Sequence, residues 1–264
     1  MSTPLLQVEQ LGFRYGSTGA AALEDISFAV DQGEFVSIVG PSGSGKTTLL
    51  RCIAGLMRPT SGEIRIGGDV VSEVHKELAL VFQDYSRSLF PWMTVRDNVD
   101  MPLRRLRLPA EERRQRIESS LSEVGLADDM TKFPWQLSGG MQQRVAIARA
   151  VAYQPQILLM DEPFASVDAQ TRADLQDMAL EVWRTHRSTV LFVTHDIDES
   201  VYLADRVIVL SHAPATVAAE IAVDLPRPRD QIETKASPAF VEQRAGVARL
   251  IRRPPATTPA TTPA

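Results

Sequence analysis

The chain has 264 residues, of which 44% are hydrophobic and 23% charged, with 28 Lys and Arg set against 33 Asp and Glu. These proportions describe an ordinary soluble globular protein, long enough to bury a sizeable core in one large domain or two small ones. A net charge of -5 and a pI near 5.5 give no support to nucleic-acid binding as the main activity. The single Cys52 excludes an internal disulfide framework and fits a reducing cytoplasm; it falls in an apolar segment where a buried, inert thiol is expected. Met1-Ser2-Thr3-Pro4 lacks the basic and apolar regions of a signal peptide. No apolar run approaches the roughly 20 residues that span a bilayer, so work at a membrane would need a partner to supply the membrane part.

In chain order, residues 5–15 carry Leu6, Val8, Leu11 and Phe13 among polar residues and predict a strand region ending at Tyr15. Gly16 to Gly19 is a turn or loop, Ile26 to Val30 alternates as a strand, and Asp31-Gln32-Gly33 is a turn. Phe35 to Val39 reads as a short buried strand. Leu49, Leu50, Ile53 and Met57 share one helical face, in a helix expected to end at Pro59 and Gly62. Glu63 to Ile66 and Leu78 to Phe82 are further strands. From about Pro91 to Tyr153 the β-branched runs vanish, which predicts a helical insertion. Ile157 to Met160, Thr189 to Val193 and Arg206 to Leu210 restore buried strands, and Leu175, Met178 and Val182 mark one face of a helix through Arg187. Strands alternating with helices imply a mostly parallel sheet covered on both faces. The arginines at 104, 105, 107, 113, 114 and 116 alternate with leucines and precede acidic residues, which favours a solvated helical surface over a nucleic-acid patch. The tail 254–264, rich in Thr, Pro and Ala, has nothing to bury and is expected to be disordered.

Two distant stretches carry the chemistry together. Gly40-Pro41-Ser42-Gly43-Ser44-Gly45-Lys46-Thr47 is a complete phosphate-binding loop between a strand and a helix, as its mechanism requires. Its glycines allow a tight turn of inward N–H groups, Lys46 would reach the β- and γ-phosphates, and the Thr47 hydroxyl would ligate magnesium. Leu137-Ser138-Gly139-Gly140-Met141-Gln142-Gln143-Arg144 is a second glycine turn that opens a helix. One nucleotide gains little from two cradles in one monomer. Two copies arranged head to tail would clamp a nucleotide between the first cradle of one and the second of the other.

Asp161 ends a buried apolar run, where ligands bind in such sheets, and would hold magnesium through water or via Thr47. Glu162 follows it, its side chain pointing elsewhere, placed to polarise an attacking water as general base. His195 ends a strand of the same sheet, where a γ-phosphate contact competes with an ordinary polar role. Gln83 ends the strand Leu80-Val81-Phe82 where the insertion begins.

With these motifs in order over residues 5–230, the sequence resembles the ATPase subunit of an ABC transporter. Gly40–Thr47 resembles the Walker A motif, Ile157–Asp161 with Glu162 resembles Walker B and the catalytic glutamate, and Leu137–Arg144 resembles the family signature, with Met141 where glutamine is frequent. Gln83 looks like the Q-loop glutamine, His195 the switch histidine, Ser166-Val167-Asp168 the D-loop, and Tyr15 the aromatic that stacks on adenine. The resemblance implies an α/β fold: a P-loop NTPase, RecA-like core with an N-terminal antiparallel β subdomain and an inserted α-helical subdomain at about 91–150. It implies an ATPase domain over 1–230 and a C-terminal helical extension over 231–253. It further implies Glu162 and His195 in catalysis. Nucleotide contacts fall to Tyr15, Gly40, Pro41, Ser42, Gly43, Ser44, Gly45, Lys46, Thr47, Thr48, Gln83, Leu137, Ser138, Gly139, Gly140 and Asp168. Thr47, Gln83 and Asp161 serve Mg2+. ATP and Mg2+ are the implied ligands. The implied partners are a second ATPase copy, membrane permease subunits and, indirectly, a substrate-binding protein, with no nucleic acid, at the cytoplasmic face of the inner membrane.

A finer resemblance lies in Val81–Val99, with its Pro91-Trp92 step and Asp97-Asn98-Val99 ending, in His195–Ser200 and in Leu225-Pro226-Arg227-Pro228-Arg229. These look like importers of the nitrate, sulfonate and taurine group, and imply uptake of a small anion chosen by the permease and binding protein. The surface around Tyr85–Trp92 is a candidate docking groove for a permease helix with Trp92 as anchor, the alternative being Trp92 packed inside the insertion. Competing readings are an export motor, which often carries a fused membrane domain, and a non-transport ABC ATPase, which usually carries paired units or long coiled coils.

Overall fold

Alternation of apolar side chains on five-residue strands divides the molecule into two layers. In the computed structural model, which describes residues 4–16, 19–84 and 88–252, β3 (Phe35–Val39), β7 (Ile157–Asp161), β8 (Thr189–Val193) and β9 (Arg206–Leu210) are almost wholly buried. Phe35, Leu158, Met160, Val190, Phe192, Val207 and Val209 face one hydrophobic cluster. Val36, Ile38, Leu159, Leu191, Val193, Ile208 and Leu210 face the other. A strand covered on both faces has no polar side to show, so it reads as a continuous apolar run. With β6 (Leu78–Val81) and β10 (Val217–Ala222) these strands form a six-stranded sheet in the order β10-β9-β3-β8-β7-β6. It is parallel except for the antiparallel edge β10.

A second, four-stranded antiparallel sheet runs β2-β1-β4-β5. It is built from β1 (Leu6–Arg14), β2 (Ala21–Val30), β4 (Ser61–Ile66) and β5 (Asp69–Val70). Its apolar side chains share a cluster with α1 (Lys46–Ile53) and one face of the parallel sheet. On the other face pack α2 (Val95–Leu103), α3 (Ala110–Glu123) and α4 (Gly139–Ala152) of the insertion, then α5 (Ala169–His186), α6 (Ile197–Leu203) and, after the short α7 (Glu233–Ala236), α8 (Pro238–Arg252). The fold is the expected α/β architecture. The arginine-rich stretch is a solvated, ion-paired surface: Arg104 and Arg113 reach Asp100, Arg114 reaches Glu111 and Glu118, and Arg116 reaches Glu112.

Three expectations change. The helix after the phosphate loop stops at Ile53, well before Pro59, and Met57 lies outside it. Gly55 adopts a left-handed φ of 71°, its N–H donates to Cys52 O at 3.0 Å, and Leu56 N–H donates to Arg51 O at 2.9 Å. That pair of bonds is a Schellman cap, which terminates a helix at a left-handed glycine. The strand containing Ile26–Val30 begins earlier, at Ala21, because Asp25 (φ 51°) marks an irregularity that interrupts the alternation without ending the pairing. Strand β6 ends at Val81, so Gln83 stands two residues beyond it. Tyr85 and the tail 254–264 lie outside the described residues.

Candidate active site

The phosphate loop spans Gly40 to Gly45 between β3 and α1. Gly43 and Gly45 have φ of 77° and 86°, the left-handed region that side chains disfavour. At Gly45 space is short as well: an added Cβ would lie 2.8 Å from Leu23 Cδ2 and 3.2 Å from Ala22 O. The loop is thus pressed against β2, and the first turn of α1 presents backbone N–H groups with no partner within the helix. Lys46 is buried and its Nζ donates to Gly40 O at 2.9 Å and Pro41 O at 3.0 Å. Burial pulls its pKa below 10.5, while Glu162 and Asp161 oppose that fall.

Asp161 closes β7, and its Oδ1 accepts a hydrogen bond from Thr47 Oγ1 at 3.1 Å. Burial raises the Asp161 carboxyl; the Thr47 hydrogen bond works against the rise. Glu162 leaves the strand with φ 44°, unusual for a side-chain-bearing residue and costly unless surroundings enforce it. Its N–H is held by Val193 O at 2.8 Å. The turn directs Glu162 Oε2 to within 2.9 Å of His195 Nδ1, and the same oxygen accepts from Gln83 Nε2 at 3.2 Å.

These groups converge. A cleft of about 580 Å³ is lined by Tyr15, Ala22, residues 42–48, Glu162 and His195. Tyr15 stands half-exposed at its mouth, its hydroxyl 2.6 Å from Thr48 Oγ1 and its ring edge-on to Phe13. A neighbouring cleft of about 540 Å³ shares Thr47 and adds Arg51, Phe82, Gln83, Arg149 and Asp161. Gly40 and Pro41 serve through their carbonyls, as acceptors for Lys46.

The second glycine turn lines neither cleft. Ser138 caps α4, its Oγ accepting from Met141 N–H at 3.3 Å, and Ser138 and Gly139 are exposed. Gly140 is buried because α4 meets α5 there: an added Cβ would lie 2.5 Å from Thr171 Cγ2. Asp168 caps α5, accepting from Thr171 N–H at 3.0 Å and Thr171 Oγ1 at 2.7 Å. The structure therefore joins Gly140 to the Asp168 cap through Thr171, away from the lining of the Lys46 cleft. Sequence reasoning missed Thr194, Gln176 and Glu199, which hydrogen-bond around the base of the His195 turn, and Arg172, which donates to Phe164 O and lies 3.8 Å from Glu199.

The ABC transporter family pattern matches residues 23–165. The chain belongs to this family. It is 44% identical over 243 residues to the taurine import ATP-binding protein of Sinorhizobium fredii, covering 90% of each chain. It is 42% identical over 227 residues to the nitrate import ATP-binding protein of Synechococcus elongatus, covering 84% of this chain and 82% of that one. Among solved structures it resembles a dimeric ATP-binding cassette in a post-hydrolysis state bound to ADP and Pi, with TM-score 0.71 and 33% identity over 83% of this chain and 98% of the other. As an ABC ATPase the chain has its phosphate loop, terminal strand carboxylates and strand-end histidine gathered at one end of the parallel sheet, where open α/β sheets bind their ligands.

Proposed function

We propose that this ABC ATPase is the motor of an importer for a small anion. It would work as a head-to-tail dimer at the cytoplasmic face of a membrane, beneath a separate permease. One observation carries the reading. The Lys46 cleft contains the phosphate loop, Glu162 and His195 but no part of the Ser138–Gly140 turn, whose Ser138 and Gly139 are exposed. A second copy would bring that turn, with Leu137, Gly139 and the partner's Asp168 loop, against the nucleotide. Among the described residues no helix is long and apolar enough to cross a membrane, so the permease is assigned to other subunits. The small-anion class is supported by the names of the taurine and nitrate relatives and by the segments 81–99 and 225–229. The residue assignment divides the chain into an ATPase domain over 1–230, its insertion at about 91–150, and an extension over 231–253 built around α8.

Each residue has a role the geometry permits. The loop N–H groups of residues 42–48 cradle the phosphates of ATP, Lys46 supplies positive charge to the β- and γ-phosphates, and Tyr15 stacks on the base. Thr47 Oγ1 and Asp161 Oδ1 are hard oxygen donors side by side, with Gln83 across the adjoining cleft. That set fits Mg2+, which is held by one or two carboxylates together with substrate phosphates and water. When bound, Mg2+ neutralises developing phosphate charge. Glu162 accepts a proton from the attacking water, and His195, fixed against Glu162 Oε2, orients that carboxylate and faces the γ-phosphate.

Lys46→Ala tests the reading. The variant should keep its circular dichroism and melting temperature but lose ATPase activity. Turnover at the wild-type rate by a folded Lys46→Ala protein would overturn it. Uptake of taurine or nitrate by vesicles containing the ATPase with its permease and binding protein tests the anion class.

A further inference from the structure

Glu199 is buried, at 5% exposure, on the first turn of α6, four residues past His195. Its Oε2 accepts a hydrogen bond from Thr194 Oγ1 at 2.7 Å, and its Oε1 accepts one from Gln176 Nε2 of α5 at 3.2 Å. Thr194 Oγ1 in turn accepts from Asp196 N–H at 3.0 Å. The residues on both sides of His195 are therefore tied to one hydroxyl, and that hydroxyl is tied to Glu199. His195 itself is exposed.

The other end of the network reaches the loop that carries Glu162. Arg172 Nε lies 3.8 Å from Glu199 Oε1. The same guanidinium donates to Phe164 O at 3.3 Å and Val167 O at 3.0 Å. The amide of Gln176 is oriented from behind, since its Oε1 accepts from Gln231 Nε2 at 3.3 Å and Lys235 Nζ at 3.4 Å. That leaves Nε2 to face the carboxylate. Burial raises the Glu199 carboxyl, and Thr194, Gln176 and Arg172 oppose the rise. A buried carboxylate is costly and persists where its partners hold it.

We infer that Glu199 is a positioning residue for ATP hydrolysis, holding the Thr194–Asp196 turn and the Phe164–Asp168 loop in register so that His195 meets Glu162. The inference rests on the ATPase reading above. It assigns Glu199 no contact with nucleotide. Its loss should therefore lower turnover and leave nucleotide binding intact.

The test uses three variants of the full chain. Glu199→Gln cannot serve all its partners: with its carbonyl toward Thr194, its amide faces the donors of Gln176 and Arg172. Thr194→Val removes the hydroxyl at nearly constant shape. Thr194→Ser keeps it. Glu199→Gln and Thr194→Val should each lower kcat about ten- to a hundredfold, the worth of one or two hydrogen bonds to a charged group. The KM for ATP and equilibrium ATP binding should change by less than about twofold. Thr194→Ser should restore most of the wild-type kcat. The double variant Glu199→Gln/Thr194→Val should be little worse than either single one, because both break the same link. Wild-type kcat in Glu199→Gln and Thr194→Val, in a protein that His195→Ala inactivates, would overturn the inference alone. So would equal losses in Thr194→Ser and Thr194→Val, or a fall of ATP affinity and melting temperature in step with kcat. A wild-type chain without ATPase activity would overturn the functional reading, and this inference with it.

Discussion

His195 Nδ1 lies 2.9 Å from Glu162 Oε2, across the open ends of two adjacent parallel strands. The last register pair of β7 and β8 is Asp161 with Val193, so the two side chains meet one and two residues beyond the sheet. Glu162 reaches that position by turning off its strand at positive φ, while its N–H stays bonded to Val193 O. The same two strands that build the core therefore fix the separation of Glu162 and His195.

Glu162→Gln keeps the side chain's size and its bonds to His195 and Gln83 but cannot take a proton. ATPase activity should fall by about 10²- to 10⁴-fold, the usual worth of a general base. ATP then persists, and the chain should shift from monomer to dimer on size-exclusion chromatography with Mg-ATP. Identical elution with and without Mg-ATP would count against a nucleotide shared between copies.

Gly140 offers a test in which the sign of the effect changes with its neighbour. Alanine in a helix is usually better than glycine by up to about 1 kcal/mol. Here the added Cβ meets Thr171 Cγ2 at 2.5 Å, and Thr171 cannot swing away without giving up its bond to Asp168. Overpacking of this kind costs about 1–3 kcal/mol, so Gly140→Ala should destabilise. Thr171→Ser removes the offending methyl and keeps the hydroxyl. In that background Gly140→Ala should be neutral or stabilising by urea denaturation. Destabilisation of the same size in both backgrounds would mean that the α4–α5 approach is not what selects glycine.

The central strands were legible because burial on both faces leaves a run such as Phe35–Val39 or Ile157–Met160 with no polar residue large enough to confuse it. The motifs were legible because loop, strand-end carboxylate and strand-end histidine each sit at a boundary that sequence marks. Edge strand β10 was not read. Its Val217–Ala222 stretch is half-buried with alternating exposure, and half of it is alanine, which has little strand preference. The Gly55 stop was overlooked in favour of Pro59 because a left-handed cap is a backbone feature, and the nearby proline was the louder breaker. The Glu199 network was illegible for another reason. Gln176 and Arg172 lie 23 and 27 residues away on another helix, and only the packing of α5 on α6 brings them to the carboxylate.

Cys52 is 1% exposed, and burial pushes its thiol pKa from 9.0 up to about 11. The thiolate is the reactive form, so at pH 8 roughly one molecule in a thousand carries it when folded, against about one in ten when unfolded. Iodoacetamide should leave the native chain unmodified for hours and label it rapidly in denaturant, as read by intact mass. Rapid native labelling would show that α1 opens from the core.

Trp92 is 70% exposed, which removes the alternative of a ring packed inside the insertion. Its loop is nevertheless held firmly. The side chain of Asn98, fully buried, accepts from Phe90 N–H at 2.8 Å and donates to Phe90 O, Met93 O and Thr94 O at 3.0 to 3.2 Å. The ring stands 5.5 Å from that of Phe90, which lines the cleft shared with Thr47, Gln83 and Asp161. A rigidly presented, exposed aromatic packed on a residue of that cleft suits a protein partner, since such anchors dominate interface energies. Trp92→Ala should change stability by no more than about 0.5 kcal/mol, as surface substitutions do, and should leave the basal ATPase of the free chain intact. Assembly with the permease, measured by co-purification, and substrate uptake should both fail. Asn98→Ala should behave differently, lowering stability because it removes all four hydrogen bonds from that side chain to the loop backbone. A Trp92→Ala protein that transports normally, or one whose basal activity and melting temperature fall together, would rule out Trp92 as the permease anchor.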